Sequence, residues 1–264
     1  MIPIRDSNPA ARRPYVTWLF IALNVAMFLL WQPRGACDDP GAITQACAEE
    51  IAFTYCHGAI PEELTSLRPL TELPADTPEE QQASALQQLR CPEKSVLGSL
   101  FTSMFLHGGL LHLGGNMLYL WIFGNNVEDR MGRLAFVLFY LAGGVAAIYA
   151  HVATDPSSAI PLIGASGAIS AVLGAYLVIW PHAHVTTVVF FFFITVIELP
   201  AAIVLGLWFI LQTFQGVGSL AVGEAAAGVA WWAHIGGFVF GAVVAWLFFR
   251  RPREEEYVRP TYEL

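Results

Sequence analysis

Apolar residues run along this chain in long, nearly unbroken blocks instead of the alternating rhythm of half-buried elements. Blocks long enough to cross a hydrocarbon core cover Tyr15 to Trp31, Leu110 to Val127, Leu134 to Ala153, Leu162 to Trp180, Val185 to Leu211 and Gly228 to Phe249. They predict an all-α membrane protein, a polytopic bundle of six transmembrane helices. The fifth block is the irregular one. A straight helix over it would reach about 40 Å against a core of about 30 Å, and Glu198 and Pro200 interrupt it, so it should tilt, kink or begin at the interface.

Composition agrees with the pattern. Of 264 residues 56% are hydrophobic and 13% charged, with a mean hydropathy of +0.55, which excludes an ordinary soluble domain. The charge is segregated. Arg5, Arg12 and Arg13 precede the first block, Arg130 and Arg133 separate the second from the third, and Arg250, Arg251, Arg253 and Arg259 follow the sixth. The positive-inside rule then makes both termini cytoplasmic, residues 1–14 as a leading segment and 250–264 as a tail. The acidic stretch 32–99, whose cations are Arg34, Arg68, Arg90 and Lys94, faces outward. The net charge of −8 reports that loop, so the expected surroundings are a lipid bilayer and no nucleic acid. Basic residues ahead of the first block resemble a secretory signal. Its apolar stretch is longer than a signal core and Arg34 spoils the cleavage pattern, so it is read as a retained helix over 15–31. A bacterial cytoplasmic (inner) membrane is the expected location.

Cys37, Cys47, Cys56 and Cys91 all fall in the outer loop. That placement suggests an oxidising compartment and two disulfides, in any of three connectivities. A metal site on Cys56 and His57 is the weaker reading, since no CxxC pair supports it.

Ionisable and nucleophilic residues inside spans are costly and therefore candidates for function: His107, His112, Asn116, Ser166, Ser170, Glu198 and His234. With the N-terminus inside, the second, fourth and sixth spans all run from the outer face inward. His112, Asn116, Ser166 and His234 lie near the starts of those spans, so all four arrive in the outer half of the membrane. His112 and Asn116 are four apart and share a helix face. A serine at a helix N-terminus, a histidine at matching depth and two further donors are the parts of acyl transfer. His234 takes the Ser166 proton, while the Ser166 backbone N–H, His112 and Asn116 hold the oxyanion. Gly164 and Gly167, lacking side chains, let a substrate strand and the His234 helix approach the nucleophile.

Each residue has a plainer reading. Gly167-Xaa3-Ala171, Ser170-Xaa3-Gly174 and Gly237-Xaa3-Gly241 are small-residue packing patterns, and Ser170 is read as one of their members. His234 or Asn116 taken singly fits an interhelical hydrogen bond. A metal on His107 and His112 lacks an accompanying glutamate at the right spacing. Glu198 has two readings, a proton site or a group that solvates backbone freed near Pro200. The arrival of four residues at one depth on alternate helices favours chemistry over packing.

Four stretches carry a family resemblance: "HGGLLHLGGN" with His107, His112 and Asn116, then "NNVEDRMG", then "GASG" around Ser166, then "AHIGGFVFG" around His234. Together, over about Phe101 to Phe249, they resemble the rhomboid intramembrane serine proteases. The resemblance implies a catalytic core over 100–249 with a Ser166–His234 dyad and an oxyanion hole using His112 and Asn116. It also implies a water-filled outward cavity, transmembrane protein substrates and no metal or other cofactor. Two departures stand out. Ser170 occupies the position where family members often stack an aromatic ring on the histidine, so another ring must orient His234 or its orientation is looser. Gly98 and Ser99 replace a Trp-Arg pair before the second span.

The function expected is hydrolysis of peptide bonds in or near transmembrane segments, with activity falling in acid as His234 protonates. The alternatives are a catalytically silent relative that escorts transmembrane helices and, from a different class, a small transporter. The latter calls for an internal repeat that the chain does not display.

Overall fold

The computed structural model describes residues 1–34, 44–70, 91, 94–190, 193–222 and 229–250. Cys37 and the tail arginines Arg251, Arg253 and Arg259 lie outside these residues. The chain opens with strand β1 (Ile2–Asp6), then α1 (Tyr15–Ala26), which continues through a wider π turn at Met27–Trp31. Two helices of the acidic segment follow, α2 (Gln45–His57) and α3 (Pro61–Ser66), then the short α4 (Val96–Thr102) with a 3-10 turn at Ser103–Phe105. The bundle continues with α5 (Leu110–Met131), α6 (Arg133–Val152) and α7 (Ser166–Ile179). A hairpin of β2 (His184–Phe190) and β3 (Ile194–Pro200) leads to α8 (Ala201–Val222) and α9 (Trp231–Phe248).

Among the described residues three helices are long and apolar enough to cross a membrane, Arg133–Val152, Ala201–Leu220 and Trp231–Phe248. A fourth results if Val96–Phe105 and Leu110–Met131, bent by 83° to each other, count as one broken span. The apolar helices Tyr15–Trp31 and Ser166–Ile179 are shorter. The protein is thus a mostly helical membrane protein, but the all-α expectation needs correction. The first half of the fifth apolar block is not helix. His184–Phe190 and Ile194–Pro200 pair as antiparallel strands, which β1 extends to a three-stranded antiparallel sheet in the order β1-β2-β3. The reason is local: "VTTVVFFFFITVIEL" is dense in β-branched and aromatic residues, which favour strands over helix. Glu198, read as a residue within a span, sits exposed on β3 opposite Thr186.

Helix α7 is the hub, packed by α9, α6, α5 and α8, and Ala168 to Tyr176 are buried without exception. Small residues make this possible. A Cβ on Gly237 would strike the Gly167 carbonyl oxygen, one on Gly241 the Ala171 oxygen, and one on Gly174 the Phe238 oxygen. Backbones this close interlock by shape, which is how helices associate where lipid removes the hydrophobic drive. Ser170 belongs to this interface: it is buried and its hydroxyl donates to the Ser166 carbonyl at 2.7 Å.

The acidic segment does not float free. Ala59 and Leu162 exchange backbone hydrogen bonds of 3.2 and 2.7 Å, and Ala59, Leu64, Val96, Leu100, Met104, Ile148, Val152 and Leu162 share one core. A disulfide joins Cys56 to Cys91, which removes Cys56 as a metal ligand; Cys47 is also disulfide-bonded. Lys94 and Glu63, both nearly inaccessible, form an ion pair, and burial pulls the Lys94 ammonium below its ordinary value, partly offset by Glu63.

Candidate active site

Ser166 is the first residue of α7. At 14 residues this helix rises about 21 Å, shorter than a hydrocarbon core of about 30 Å. No side chain caps that N-terminus. The first N–H groups of α7 therefore have no acceptor within the helix and carry the positive end of its dipole.

His234 stands one turn into α9, and its Nε2 is 2.8 Å from Ser166 Oγ. The close α7–α9 packing described above sets that distance. On the far side of the ring, Nδ1 is 2.7 Å from the Oε1 of Gln212 on α8. Trp208 and Trp231 flank the imidazole with ring centroids 6.2 and 6.1 Å away, neither stacked upon it.

The loop Gly108–Gly109 and the first turns of α5 bring His112 and Asn116 to the same place. Gln32, at the end of the first apolar helix, clamps that loop: its Nε2 donates to the His107 carbonyl at 2.6 Å and its Oε1 accepts from the His107 N–H at 3.1 Å. The Gly108 N–H donates to His112 Nδ1 at 3.3 Å, so the His112 proton resides on Nε2. That nitrogen lies against Gly164, where a Cβ would fall 2.9 Å from it and 3.6 Å from Ser166 Oγ. Gly164 also has φ of +123°, which a residue with a side chain rarely adopts. Asn116 is buried, and its Nδ2 has no hydrogen-bond partner among the described residues.

One cavity of about 690 Å³ joins these groups, lined by His112, Asn116, Ser166, Gln212 and His234, with His151 of α6 on its wall. The arrangement offers a hydroxyl in hydrogen-bond contact with an imidazole nitrogen, with an unmatched amide donor, an imidazole N–H and an uncapped helix N-terminus at the same cavity. Such a set attacks a carbonyl carbon and stabilises the resulting oxyanion.

Of the sequence-chosen residues, Ser166, His234, His112, Asn116 and Gly164 meet at this cavity. Gly167 faces Ala147 of α6 and the α9 backbone instead, as a packing residue. His107 lies fully buried behind His112, ring centroids 5.0 Å apart, and Cys47, Cys56, Cys91 and Glu198 do not line the cavity. Ser170 offers His234 no ring, and Gln212 stands at the Nδ1 edge of the imidazole. Gln212 lies one residue past the fifth apolar block, Val185 to Leu211, and so outside the stretches in which a polar group marks a candidate.

The family model for the rhomboid domain matches residues 94–251. The chain is 29% identical over 161 residues to Rhomboid protein 1, mitochondrial, of Saccharomyces cerevisiae, covering 58% of this chain and 41% of that protein. It is 26% identical over 258 residues to RHOMBOID-like protein 5 of Arabidopsis thaliana, covering 97% and 75%. With Rhomboid protease GluP of Bacillus subtilis the identity is 32% over 165 residues, 62% of this chain and 24% of that protein. This chain thus spans less than half the length of the yeast and Bacillus relatives. Because one of these relatives is mitochondrial by name, the expected bacterial cytoplasmic membrane gains no support; what stands is a membrane protein.

Proposed function

Because the chain belongs to the rhomboid family, we propose that it is an intramembrane serine endopeptidase that cleaves other membrane proteins in or near their transmembrane segments. The observation that carries this reading is the 2.8 Å contact of Ser166 Oγ with His234 Nε2, open to the cavity. Ser166 Oγ attacks the scissile carbonyl while Nε2 takes its proton. The oxyanion forms beside the Ser166 N–H, Asn116 Nδ2 and His112 Nε2–H, each donor contributing about 2.7–4 kcal/mol to the transition state. Collapse breaks the C–N bond and His234 returns the proton to the departing amine. Water from the cavity then hydrolyses the acyl-enzyme with His234 again as base.

The same reading takes the six apolar segments as six spans with both termini cytoplasmic. Supporting it, Arg12 and Arg130, two of the basic residues that flank the spans, lie at one end of the bundle. Arg130 Nε donates to the Phe249 carbonyl at 3.1 Å, and Arg12 lies 3.9 Å from Asp129, next to Arg130 on the same helix end. Ser166 and His234 stand at the opposite ends of their helices.

The test is cleavage of a transmembrane test substrate in liposomes by the wild type, Ser166→Ala and His234→Ala, each checked for folding. Cleavage by the wild type and a fall of at least about 10⁴-fold in both variants is the expected result. A Ser166→Ala protein that still cuts removes the nucleophile assignment. A folded wild type inert toward varied substrates favours a silent, helix-escorting member of the family.

A further inference from the structure

We propose that Gln212 is the positioning residue of the dyad, fixing both the tautomer and the ring orientation of His234; this rests on the protease reading above. The geometry carries it. Gln212 Oε1 lies 2.7 Å from His234 Nδ1, on the side of the ring opposite the 2.8 Å contact with Ser166. An amide oxygen only accepts, so Nδ1 must carry the proton, and neutral imidazole has one N–H. Nε2 is then bare, and a bare Nε2 is what can remove the Ser166 proton. Were the amide turned so that its NH2 faced Nδ1, the proton would sit on Nε2 and the dyad could not act as a base.

Nothing else among the described residues does this work. The groups facing His234 are Ser166 of α7, His112 of α5, His151 of α6 and the rings of Trp208 and Trp231. None of these is a carboxylate, and neither ring stacks on the imidazole. The choice of an amide has a physical basis. Gln212 is buried, only 9% exposed, in a predominantly apolar helix whose other glutamine, Gln215, is exposed. A carboxylate there would bring the desolvation cost of a charge at membrane depth, whereas a neutral oxygen orients the ring without it. Ser170, small and bonded back to Ser166, puts no ring on the imidazole, and the Gln212 contact is made at the edge of the ring.

The experiment combines a spectroscopic and a kinetic measurement on the full-length protein in detergent. Histidine ¹⁵N resonances, with His234 assigned by its loss in His234→Ala, report which ring nitrogen is protonated. The rate at which a fluorophosphonate labels Ser166 reports the reactivity of the dyad without a natural substrate. We expect an Nδ1–H tautomer in the wild type. Gln212→Leu, which suits its apolar surroundings, should lose that tautomer and slow labelling about 10²-fold, as expected for a reacting group misplaced by about 1 Å. Gln212→Glu, which keeps an acceptor oxygen in place, should retain the Nδ1–H signal and recover most of the rate. A wild-type Nε2–H tautomer, or a Gln212→Leu protein unchanged in both measurements, overturns the assignment. An Nδ1–H signal that Gln212→Leu abolishes, in a wild type that neither labels nor cleaves, upholds the role of Gln212 and sinks the protease reading instead.

Discussion

The two ends of the bundle treat buried polar groups in opposite ways. At the end where α5 closes, each carboxylate has donors aimed at it. Glu128 accepts from the N–H groups of Val16 and Thr17 at 3.0 and 2.7 Å and from the Thr17 hydroxyl at 2.8 Å, so α5 caps the start of α1. Asp129 accepts from the Ala11 N–H at 2.8 Å, and Asp6 from Asn126 Nδ2 at 2.6 Å and Tyr176 OH at 2.8 Å. At the end where α5 begins, Asn116 Nδ2 is buried without an acceptor among the described residues, and α7 starts uncapped. A buried donor left unmet costs about 1–3 kcal/mol. The first end is a clasp. On the proposed protease reading the second holds its donors for a negative charge that appears only during reaction, so polar groups that look alike in sequence would serve stability at one end and chemistry at the other.

Substitutions that separate these roles test the contrast. Asn116→Ala should lower kcat by about 10²–10³-fold while leaving thermal unfolding within a degree or two of wild type; equal losses in both would make Asn116 a second clasp. Glu128→Ala should do the reverse. It strands two backbone donors at the start of α1 and should cost about 2–4 kcal/mol in detergent unfolding, with kcat of the folded fraction within a few-fold of wild type. Gly164→Ala asks a residue with a side chain to hold φ of +123° and presses its methyl on the His112 ring. A rate loss of tens of fold with a smaller fall in stability, about 1–3 kcal/mol, is expected, and kinetics beside thermal melts decide it.

The smallest effect concerns acidity. Burial raises the Asp6 carboxyl above its usual range, offset in part by the hydrogen bond from Tyr176 and by others from the backbone and Asn126. Folded Asp6 therefore holds its proton more tightly than the unfolded chain. Its contribution to stability is complete below about pH 3.9, the usual carboxylate value, and is lost as pH rises through the folded value. Asp6→Asn, which keeps an accepting oxygen, should flatten stability against pH from acid towards neutrality. Unfolding curves that keep the wild-type slope would place the titration on another group.

Much of the site was legible because its signals were local and costly. Ser166 between glycines, His112 and Asn116 one turn apart, and His234 ahead of a glycine pair each break an apolar run where polarity must be justified. Gln212 was not legible, since it falls one residue past the fifth apolar block and its partner stands 22 residues away on another helix. The hairpin was hidden for a different reason. A predominantly apolar run shows no clear period, so residues 185–199 read as span until strand-favouring composition is weighed against length. The clasp at Glu128 joins residues 111 and 112 apart, a pairing that no local pattern announces.

The pairing of β1 with β2 also has a consequence in time. Asp6 is separated by 120 residues from Asn126 and by 170 from Tyr176, and the strand beside it comes later still. At about 5–20 residues per second a ribosome takes on the order of ten seconds or more to supply those partners. Through that interval the first strand must stay unpaired while four apolar segments emerge and find the bilayer. The sheet therefore acts as a latch on synthesis: the N-terminal strand closes only after the helix bearing Ser166 has been made.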